Sequence, residues 1–328
     1  YKAQRELTQT GNDAGVQIRF FHGRGGTISR GAGPTHRFLD ALPAGTIQGD
    51  FRLTEQGETI AQKYANLPTA AFNLELLLAG VAAVSLEQAA GHGIVQHEPD
   101  EVWEILAKSS TAAYQEFVHA EGFSDFYSHA TPIDALEVTR IGSRPARRTG
   151  RRTLADLRAI PWVVSWNQSR YYLPGWYGVG SGLETLANAK PEVFATIRAN
   201  LRERPVLYYV LTNVETNLAS ADLSIMADYA ALVPDAALRE AFFGRVKAEF
   251  DKTRLMLDDI FQGRVAERRP RMLNPLQRRA EALHVLHRRQ IALLRAWRAA
   301  KSPEESAALL PRVLLSVNAI ASGLRTTG

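Results

Sequence analysis

The chain has 328 residues, of which 45% are apolar and 22% charged, so it can form one large globular domain or two smaller ones. It contains no cysteine, which excludes disulfide bonds, thiolate metal sites and cysteine nucleophiles. A net charge of +5 and a pI near 9.5 indicate anionic partners without choosing among them.

No basic-then-apolar signal opens the sequence. The longest nearly uncharged apolar run, residues 76–86, is shorter than a bilayer span. We therefore expect a soluble, cytoplasmic protein without a membrane partner.

The first part of the chain is organised around a glycine-rich segment. Residues 1–10 predict the end of a helix, and residues 16–21 predict a short buried strand. Five glycines follow between positions 23 and 33, interleaved with His22, Arg24 and Arg30. Glycine lets a backbone approach a ligand closely, so this segment can present amides and cations to an anion. It matches neither the P-loop nor the dinucleotide fingerprint, and an ordinary surface loop is the competing interpretation.

The middle of the chain predicts one more strand and several helices. We expect a short helix at residues 35–42 and a second strand at 50–54. The polar residues 55–58 that follow this strand predict either a site-bordering segment, as in α/β barrels, or a plain turn. Residues 69–90 and 99–122 predict structural helices, and the histidines scattered among them show no ligand-like spacing.

Two arginine clusters stand out later in the sequence. They comprise Arg140, Arg144, Arg147, Arg148, Arg151 and Arg152, and then Arg264, Arg268, Arg269, Arg271, Arg278 and Arg279. Between the clusters, residues 161–166 predict a third strand, which places Arg158 at a strand boundary. The glycines between 175 and 182 favour a closely packed loop, and the chain from residue 183 onward predicts helices.

The predicted fold is therefore a portion of a TIM-like α/β barrel with dominant α-helices, followed by a C-terminal helical bundle. We expect residues 1–182 to form the barrel portion with its site loops, and residues 183–328 to form the helical region. Three strands cannot complete an eight-stranded barrel, so the missing strands would come from outside this chain. Arginine binds phosphate and carboxylate with paired hydrogen bonds, so a small substrate bearing both groups fits the strand-end arginines.

Four motifs carry a resemblance to a known family. They are FHGRGGTISRGAGPTH at 21–36, VTRIGSRPARR at 138–148, LRAIPWVVSWNQSR at 157–170 and GLRTTG at 323–328. Together they resemble the C-terminal third of phosphoenolpyruvate carboxylase. The resemblance implies that phosphoenolpyruvate and bicarbonate react to give oxaloacetate and phosphate, with Mg²⁺ or Mn²⁺, in a homotetramer.

The resemblance also implies roles for individual residues. His22, Arg24 and Arg30 match the family's catalytic loop, and Arg144 and Arg158 match its phosphate-binding arginines. The family's metal ligands, a catalytic lysine and a second histidine lie before position 1. We therefore expect no metal site in this chain and activity only together with an N-terminal portion.

Regulation by dicarboxylates is expected to be weak. The family's inhibitor site uses arginines that match Arg269 and Arg30, together with a lysine and an asparagine. Ser220 and Thr326 occupy those last two positions here. Two of the four ligands are therefore absent, which predicts weak inhibition by aspartate or malate.

Two other functional classes compete with the carboxylase interpretation. The arginine clusters also suit a nucleic-acid-binding helical protein, although no aromatic residues interleave them and no known nucleic-acid-binding motif accompanies them. A catalytically inactive assembly or regulatory module is the third possibility. Nucleic-acid binding would weaken steeply with salt, whereas catalysis in an enclosed site would respond mildly.

Overall fold

The structure is a computed structural model, and it describes residues 1–23, 35–47, 49–55, 57–90, 100–138 and 156–325. These residues contain sixteen α-helices and two strands. In chain order they are α1 (Lys2–Asp13), β1 (Phe21–Gly23), α2 (Thr35–Asp40), β2 (Arg52–Thr54), α3 (Gly57–Tyr64), α4 (Leu67–Ala89), α5 (Asp100–Val118), α6 (Phe123–Ala130), α7 (Ile133–Glu137), α8 (Ala159–Gln168), α9 (Val179–Ala189), α10 (Pro191–Ala199), α11 (Pro205–Ser220), α12 (Leu223–Ala230), α13 (Ala236–Ile260), α14 (Val265–Arg268), α15 (Pro270–Arg298) and α16 (Pro303–Leu324).

Helix starts follow from capping side chains and prolines. Asn66, Asp222, Asp235 and Ser302 each accept a hydrogen bond from a backbone N–H in the first turn of the helix that follows. Helices α10, α11, α15 and α16 begin at a proline, whose missing N–H costs nothing in the first turn. The prediction of a helical C-terminal region is confirmed.

The sheet is smaller than predicted. Strands β1 and β2 pair in parallel, with Phe21 opposite Arg52, His22 opposite Leu53 and Gly23 opposite Thr54. The first strand was expected at residues 16–21 and buried, but pairing begins only at Phe21, whose side chain is 61% exposed. A strand extends only as far as it pairs with a neighbouring strand. Because β2 has three residues, β1 is also limited to three.

The third predicted strand is wrong. Residues 161–166 lie in helix α8, where Trp162 N donates to the carbonyl oxygen of Arg158 at 3.1 Å. The described residues therefore show no TIM-like barrel, and the barrel portion of the predicted fold is not seen. The glycine-rich passage at 175–182 is closely packed as expected, but its second half forms the start of α9, where a Cβ on Gly180 would lie 2.5 Å from Thr253 N.

The chain divides into two compact units. The first comprises Tyr1–Val102 and Glu192–Asn213, and the second comprises Trp103–Pro191 and Val214–Gly328. The predicted boundary at residue 182 stays a prediction. Among the described helices, α4 and α16 are long and apolar enough to cross a bilayer by length and hydropathy alone. Core helices of soluble proteins meet the same criterion, so this finding does not assign a membrane location.

Each unit has its own core. In the first unit, Leu39, Leu42, Ile47 and Val84 are buried together, and Phe38 and Phe51 pack against them. The second unit is built around aromatic rings from α5, α6, α8 and α13. Phe117, Phe123, Phe126, Trp166 and Phe242 are all at most 4% exposed. Neighbouring rings in this cluster lie about 5 to 6.4 Å apart, in the range where aromatic contacts are favourable.

Candidate substrate site

The structure describes half of the predicted site residues. His22 lies in the first unit, and Arg158, Ser220 and Arg269 lie in the second. Arg24, Arg30, Arg144 and Thr326 lie outside the described residues. Because each unit is described by itself, the convergence of these side chains on one cavity stays a prediction.

His22 is held by strand pairing and by aromatic packing. Its ring centroid lies 5.2 Å from those of both Phe38 and Phe51, edge-on to the first and stacked on the second. The backbone pairs with Leu53 of β2. A cavity of about 160 Å³ lies beside the ring and is also lined by Arg19, Asp50 and Arg52. The histidine is therefore half-buried in a fixed orientation next to a small cavity that both charged and apolar side chains line.

A lysine-centred cluster occupies the end of β2. Lys63 Nζ pairs with Glu55 Oε1 and donates to Thr35 Oγ1 at 3.2 Å. Tyr64 Oη donates to the other Glu55 oxygen at 2.7 Å. Burial, together with this bond to Glu55, raises the pKa of Tyr64 to about 12, so the phenol keeps its proton at neutral pH.

Sequence reasoning found only part of this cluster. Residues 55–58 were expected to form a site-bordering segment or a plain turn, and the structure shows that Glu55 lies in a polar cluster with Lys63 and Tyr64. Lys63 was missed, since nothing in the sequence shows that helix α3 returns it to the strand end. Its side chain is only 23% exposed, so the ammonium is a fixed cation in the unit that carries His22.

Arg158 occupies the N-cap of α8, where no side chain caps the helix. Its Nε is buried and has no hydrogen-bond partner among the residues that the structure describes. The first turn of a helix presents unbonded N–H groups and the positive end of the helix dipole. This guanidinium and the helix terminus can together bind an anion.

Arg269 already has a carboxylate partner within the chain. Its Nη1 donates to Glu215 Oε2 at 2.8 Å and its Nη2 donates to Thr216 Oγ1 at 3.1 Å. Arg268 pairs with the other oxygen of Glu215, whose side chain is 3% exposed. Ser220 Oγ donates to the carbonyl oxygen of Thr216 at 2.8 Å. Glu215 therefore shares its negative charge between Arg268 and the guanidinium that the resemblance assigns to an inhibitor.

The described residues do not fit a metal ion. Within them, no three His, Asp or Glu side chains lie close enough together to hold a cation. A magnesium or manganese site, which the resemblance implies, would need ligands from elsewhere.

Comparison with known proteins identifies the family. The sequence profile of the family described as phosphoenolpyruvate carboxylase matches residues 1–328. The chain belongs to the phosphoenolpyruvate carboxylase family. It is 44% identical to the phosphoenolpyruvate carboxylase of Methylorubrum extorquens, 38% to that of Nocardia farcinica and 39% to that of Mycolicibacterium paratuberculosis, each over the whole of this chain.

The chain covers only part of the length of each relative. This member of the carboxylase family spans 36% of the Methylorubrum protein and 35% of each of the other two, and it matches their C-terminal part. The comparisons give no support to the nucleic-acid-binding alternative.

Proposed function

We propose that this chain is the C-terminal portion of an enzyme that converts phosphoenolpyruvate and bicarbonate into oxaloacetate and phosphate. The observation that carries the proposal is the family match, which extends over residues 1–328 without a gap at either end. The reaction is anaplerotic because it makes a four-carbon acid from a three-carbon one.

The phosphate of phosphoenolpyruvate is assigned to Arg144 and Arg158. Support for Arg158 comes from its position at the N-cap of α8, where its buried Nε has no hydrogen-bond partner in the part of the chain that the structure describes. Each charged hydrogen bond to a desolvated phosphate contributes roughly 1.5 to 3 kcal/mol. The substrate is therefore held by groups that stay charged at any physiological pH.

His22, Arg24 and Arg30 are assigned to the chemical step. Bicarbonate attacks the phosphoryl group and displaces the enolate of pyruvate, which gives carboxyphosphate. The enolate carbon then bonds to the carboxyl carbon of carboxyphosphate, and phosphate leaves. Both intermediates are anionic and sensitive to water, so positive charge and exclusion of solvent favour the reaction. Lys63, held at the end of β2 by Glu55, adds a fixed positive charge to the unit that carries His22.

The chain is proposed to act only with an N-terminal portion, as part of a cytoplasmic homotetramer. Mg²⁺ or Mn²⁺ is assigned to residues outside this chain, as the resemblance implies. The missing portion can be continuous with this chain or a separate polypeptide.

Inhibition by aspartate or malate is proposed to be weak. Ser220 and Thr326 stand where the family's lysine and asparagine ligands would be. Arg269 is engaged by Glu215 and Thr216, so an incoming dicarboxylate would have to displace an internal carboxylate. Such an exchange gains little free energy because one charged pair replaces another.

Oxaloacetate formation tests the proposed function. The complete enzyme and the 328-residue chain are each supplied with phosphoenolpyruvate, bicarbonate and Mg²⁺, and oxaloacetate is followed through malate dehydrogenase and NADH. We expect bicarbonate-dependent NADH oxidation from the complete enzyme and none from the chain alone. Absence of oxaloacetate in both samples would refute the function, and turnover by the chain alone would refute its dependence on an N-terminal portion.

A further inference from the structure

Lys63 is a half-buried cation whose two side-chain partners belong to different elements. Its Nζ pairs with Glu55, the residue that directly follows β2, and donates at 3.2 Å to the hydroxyl of Thr35, the first residue of α2. The side chain of Glu55 is 11% exposed, so water has little access to this ion pair. The lysine therefore joins the end of β2 to the start of α2.

The two elements that Lys63 joins also enclose the ring of His22. Phe38 of α2 meets the ring edge-on, and Phe51, the residue before β2, stacks on it, with 5.2 Å between ring centroids in each case. Pairing with Leu53 of β2 fixes the backbone of His22, whereas the orientation of the ring depends on its aromatic neighbours. The separation of α2 from β2 therefore sets the width of the slot that holds the imidazole.

Lys63 is itself held in place by its own helix and by α4. The Nδ2 of Asn73 in α4 donates to the carbonyl oxygen of Lys63 at 3.3 Å, which anchors the end of α3. The next residue, Tyr64, donates to the second oxygen of Glu55 at 2.7 Å. Two consecutive residues of α3 thus bind both oxygens of one carboxylate. This arrangement leaves the lysine side chain little freedom to adopt another position.

A direct contact with an anionic substrate is the competing role for Lys63. The ammonium has three N–H donors, and Glu55 and Thr35 already accept from two of them. A hydrogen bond between an ammonium and a carboxylate is stronger than a neutral one, and it is shielded here from water. These contacts suit a link between two elements better than they suit a group that waits for a ligand.

We propose that Lys63 is a positioning residue, which holds β2 and α2 at the separation that fixes the ring of His22. The proposal rests on the proposed function in one respect, the assignment of His22 to the chemical step. Displacement of a reacting group lowers the rate of that step far more than it weakens substrate binding. Loss of Lys63 should therefore affect kcat and leave KM for phosphoenolpyruvate nearly unchanged.

The reactivity of His22 tests the positioning without any turnover. Diethyl pyrocarbonate acylates neutral imidazole rings, and mass spectrometry of the digested complete enzyme gives the rate at each histidine. Lys63→Met should raise the rate at His22 by about fivefold or more, because loss of the charged hydrogen bonds loosens the packing around the ring. Lys63→Arg keeps a cation and should return the rate towards that of the unaltered enzyme. The exposed His119 is the internal reference. An unchanged rate at His22 in Lys63→Met would overturn the proposal.

Two further variants separate positioning from a general loss of stability. Glu55→Met should also raise the rate at His22, and the double variant should react no faster than Lys63→Met, because both changes break the same link. Lys252→Met is the matched control, since Lys252 pairs with Glu184 at 2.8 Å and is 35% exposed but belongs to the second unit. It should leave His22 unaffected. Additive effects at positions 55 and 63, or an equal effect of Lys252→Met, would overturn the proposal.

Steady-state kinetics of the complete enzyme give a second readout. Lys63→Met should lower kcat for oxaloacetate formation by about tenfold or more and change KM for phosphoenolpyruvate by less than about threefold. Lys63→Arg should recover most of the lost kcat. A higher KM with an unchanged kcat would overturn the proposal, because the lysine would then contribute to substrate binding.

The two readouts distinguish failure of the positioning from failure of the proposed function. If the unaltered enzyme forms no oxaloacetate while Lys63→Met still increases the reactivity of His22, the proposed function is refuted and the positioning is supported. If oxaloacetate forms but His22 reacts equally with and without Lys63, only the positioning is refuted.

Discussion

At the scale of single residues, His287 is a strongly perturbed titratable group that does not belong to the candidate site. The ring is 1% exposed, and its Nδ1 lies 3.2 Å from Tyr229 Oη, which also donates to Gln290 Oε1. Burial, with Arg170 adding like charge, lowers the pKa of His287 from 6.5 to about 3. The imidazole is therefore neutral in the folded chain at physiological pH.

This shift predicts acid sensitivity. Below pH 6.5 the unfolded chain binds a proton at His287 that the folded chain does not, so stability falls as pH decreases towards 3. One such group lowers the free energy of unfolding by about 2 kcal/mol between pH 7 and pH 5. His287→Gln should remove most of that pH dependence in urea unfolding followed by tryptophan fluorescence. An unchanged pH dependence in this variant, or an equal change on replacing the exposed His119, would contradict the assignment.

His22 carries the residue-scale prediction for catalysis. His22→Asn keeps a polar group on β1 but removes the imidazole that packs between Phe38 and Phe51. Because a positioned acid or base contributes typically 10²- to 10⁴-fold, kcat for oxaloacetate formation in the complete enzyme should fall by about 100-fold or more. His129→Asn, which changes a histidine of α6 far along the chain, is the control. Equal activity of the two variants would remove His22 from the chemical step.

At the scale of elements, Glu215 joins three helices. It lies on α11 and pairs with Arg268 at the end of α14 and with Arg269 at the N-cap of α15. Its side chain is 3% exposed, and those of the two arginines are 19% and 17% exposed. Removing the carboxylate would leave two neighbouring guanidinium groups without their shared counter-charge.

Substitution of this carboxylate should be costly. We expect Glu215→Gln to lower the free energy of unfolding by about 3 to 5 kcal/mol, as for other buried ion pairs that lose one partner. Glu116→Gln is the matched control, because Glu116 pairs with Arg245 at 3.1 Å but is 80% exposed. That change should cost less than about 1 kcal/mol. Similar losses for both variants in denaturant titrations would show that Glu215 has no special structural role.

Some elements were predictable from sequence and others were not. The Asn66 and Ser302 caps and the prolines at helix starts are local signals, and the helices that follow them were expected. Residues 161–166 were misassigned because every side of α8 is buried, so its apolar run shows neither a period of two nor one of 3.6. Packing among aromatic rings of α6 and α13 stabilises the helix, and the local sequence gives no signal of that tertiary contact.

The candidate site was also only partly predictable from the sequence. His22 and Arg158 were identified through a family resemblance, and their glycine-rich or strand-end context alone indicated only anion binding. Lys63 was not identified, because it contacts Glu55 only when helix α3 folds back towards the strand end eight residues later. Side chains brought together by tertiary structure carry no signal in a single sequence.

At the scale of the whole molecule, regulation should differ from that of strongly inhibited relatives. With Ser220 and Thr326 in place of two inhibitor ligands, the complete enzyme should keep most of its activity at micromolar aspartate. The double change Ser220→Lys with Thr326→Asn should increase aspartate sensitivity, measured as the concentration that halves oxaloacetate formation. Strong inhibition of the unaltered enzyme by micromolar aspartate would contradict this prediction.

The central claim is that guanidinium groups of this chain hold phosphoenolpyruvate while the rest of the enzyme completes the site. The most direct test is kcat/KM for phosphoenolpyruvate in the complete enzyme carrying Arg158→Ala. Arg288→Ala, which removes an exposed arginine from α15, serves as the charge-matched control. Loss of one charged hydrogen bond predicts a decrease of about ten- to a hundredfold or more for Arg158→Ala, with an unchanged far-ultraviolet circular dichroism spectrum. A kcat/KM equal to that of Arg288→Ala would contradict the account.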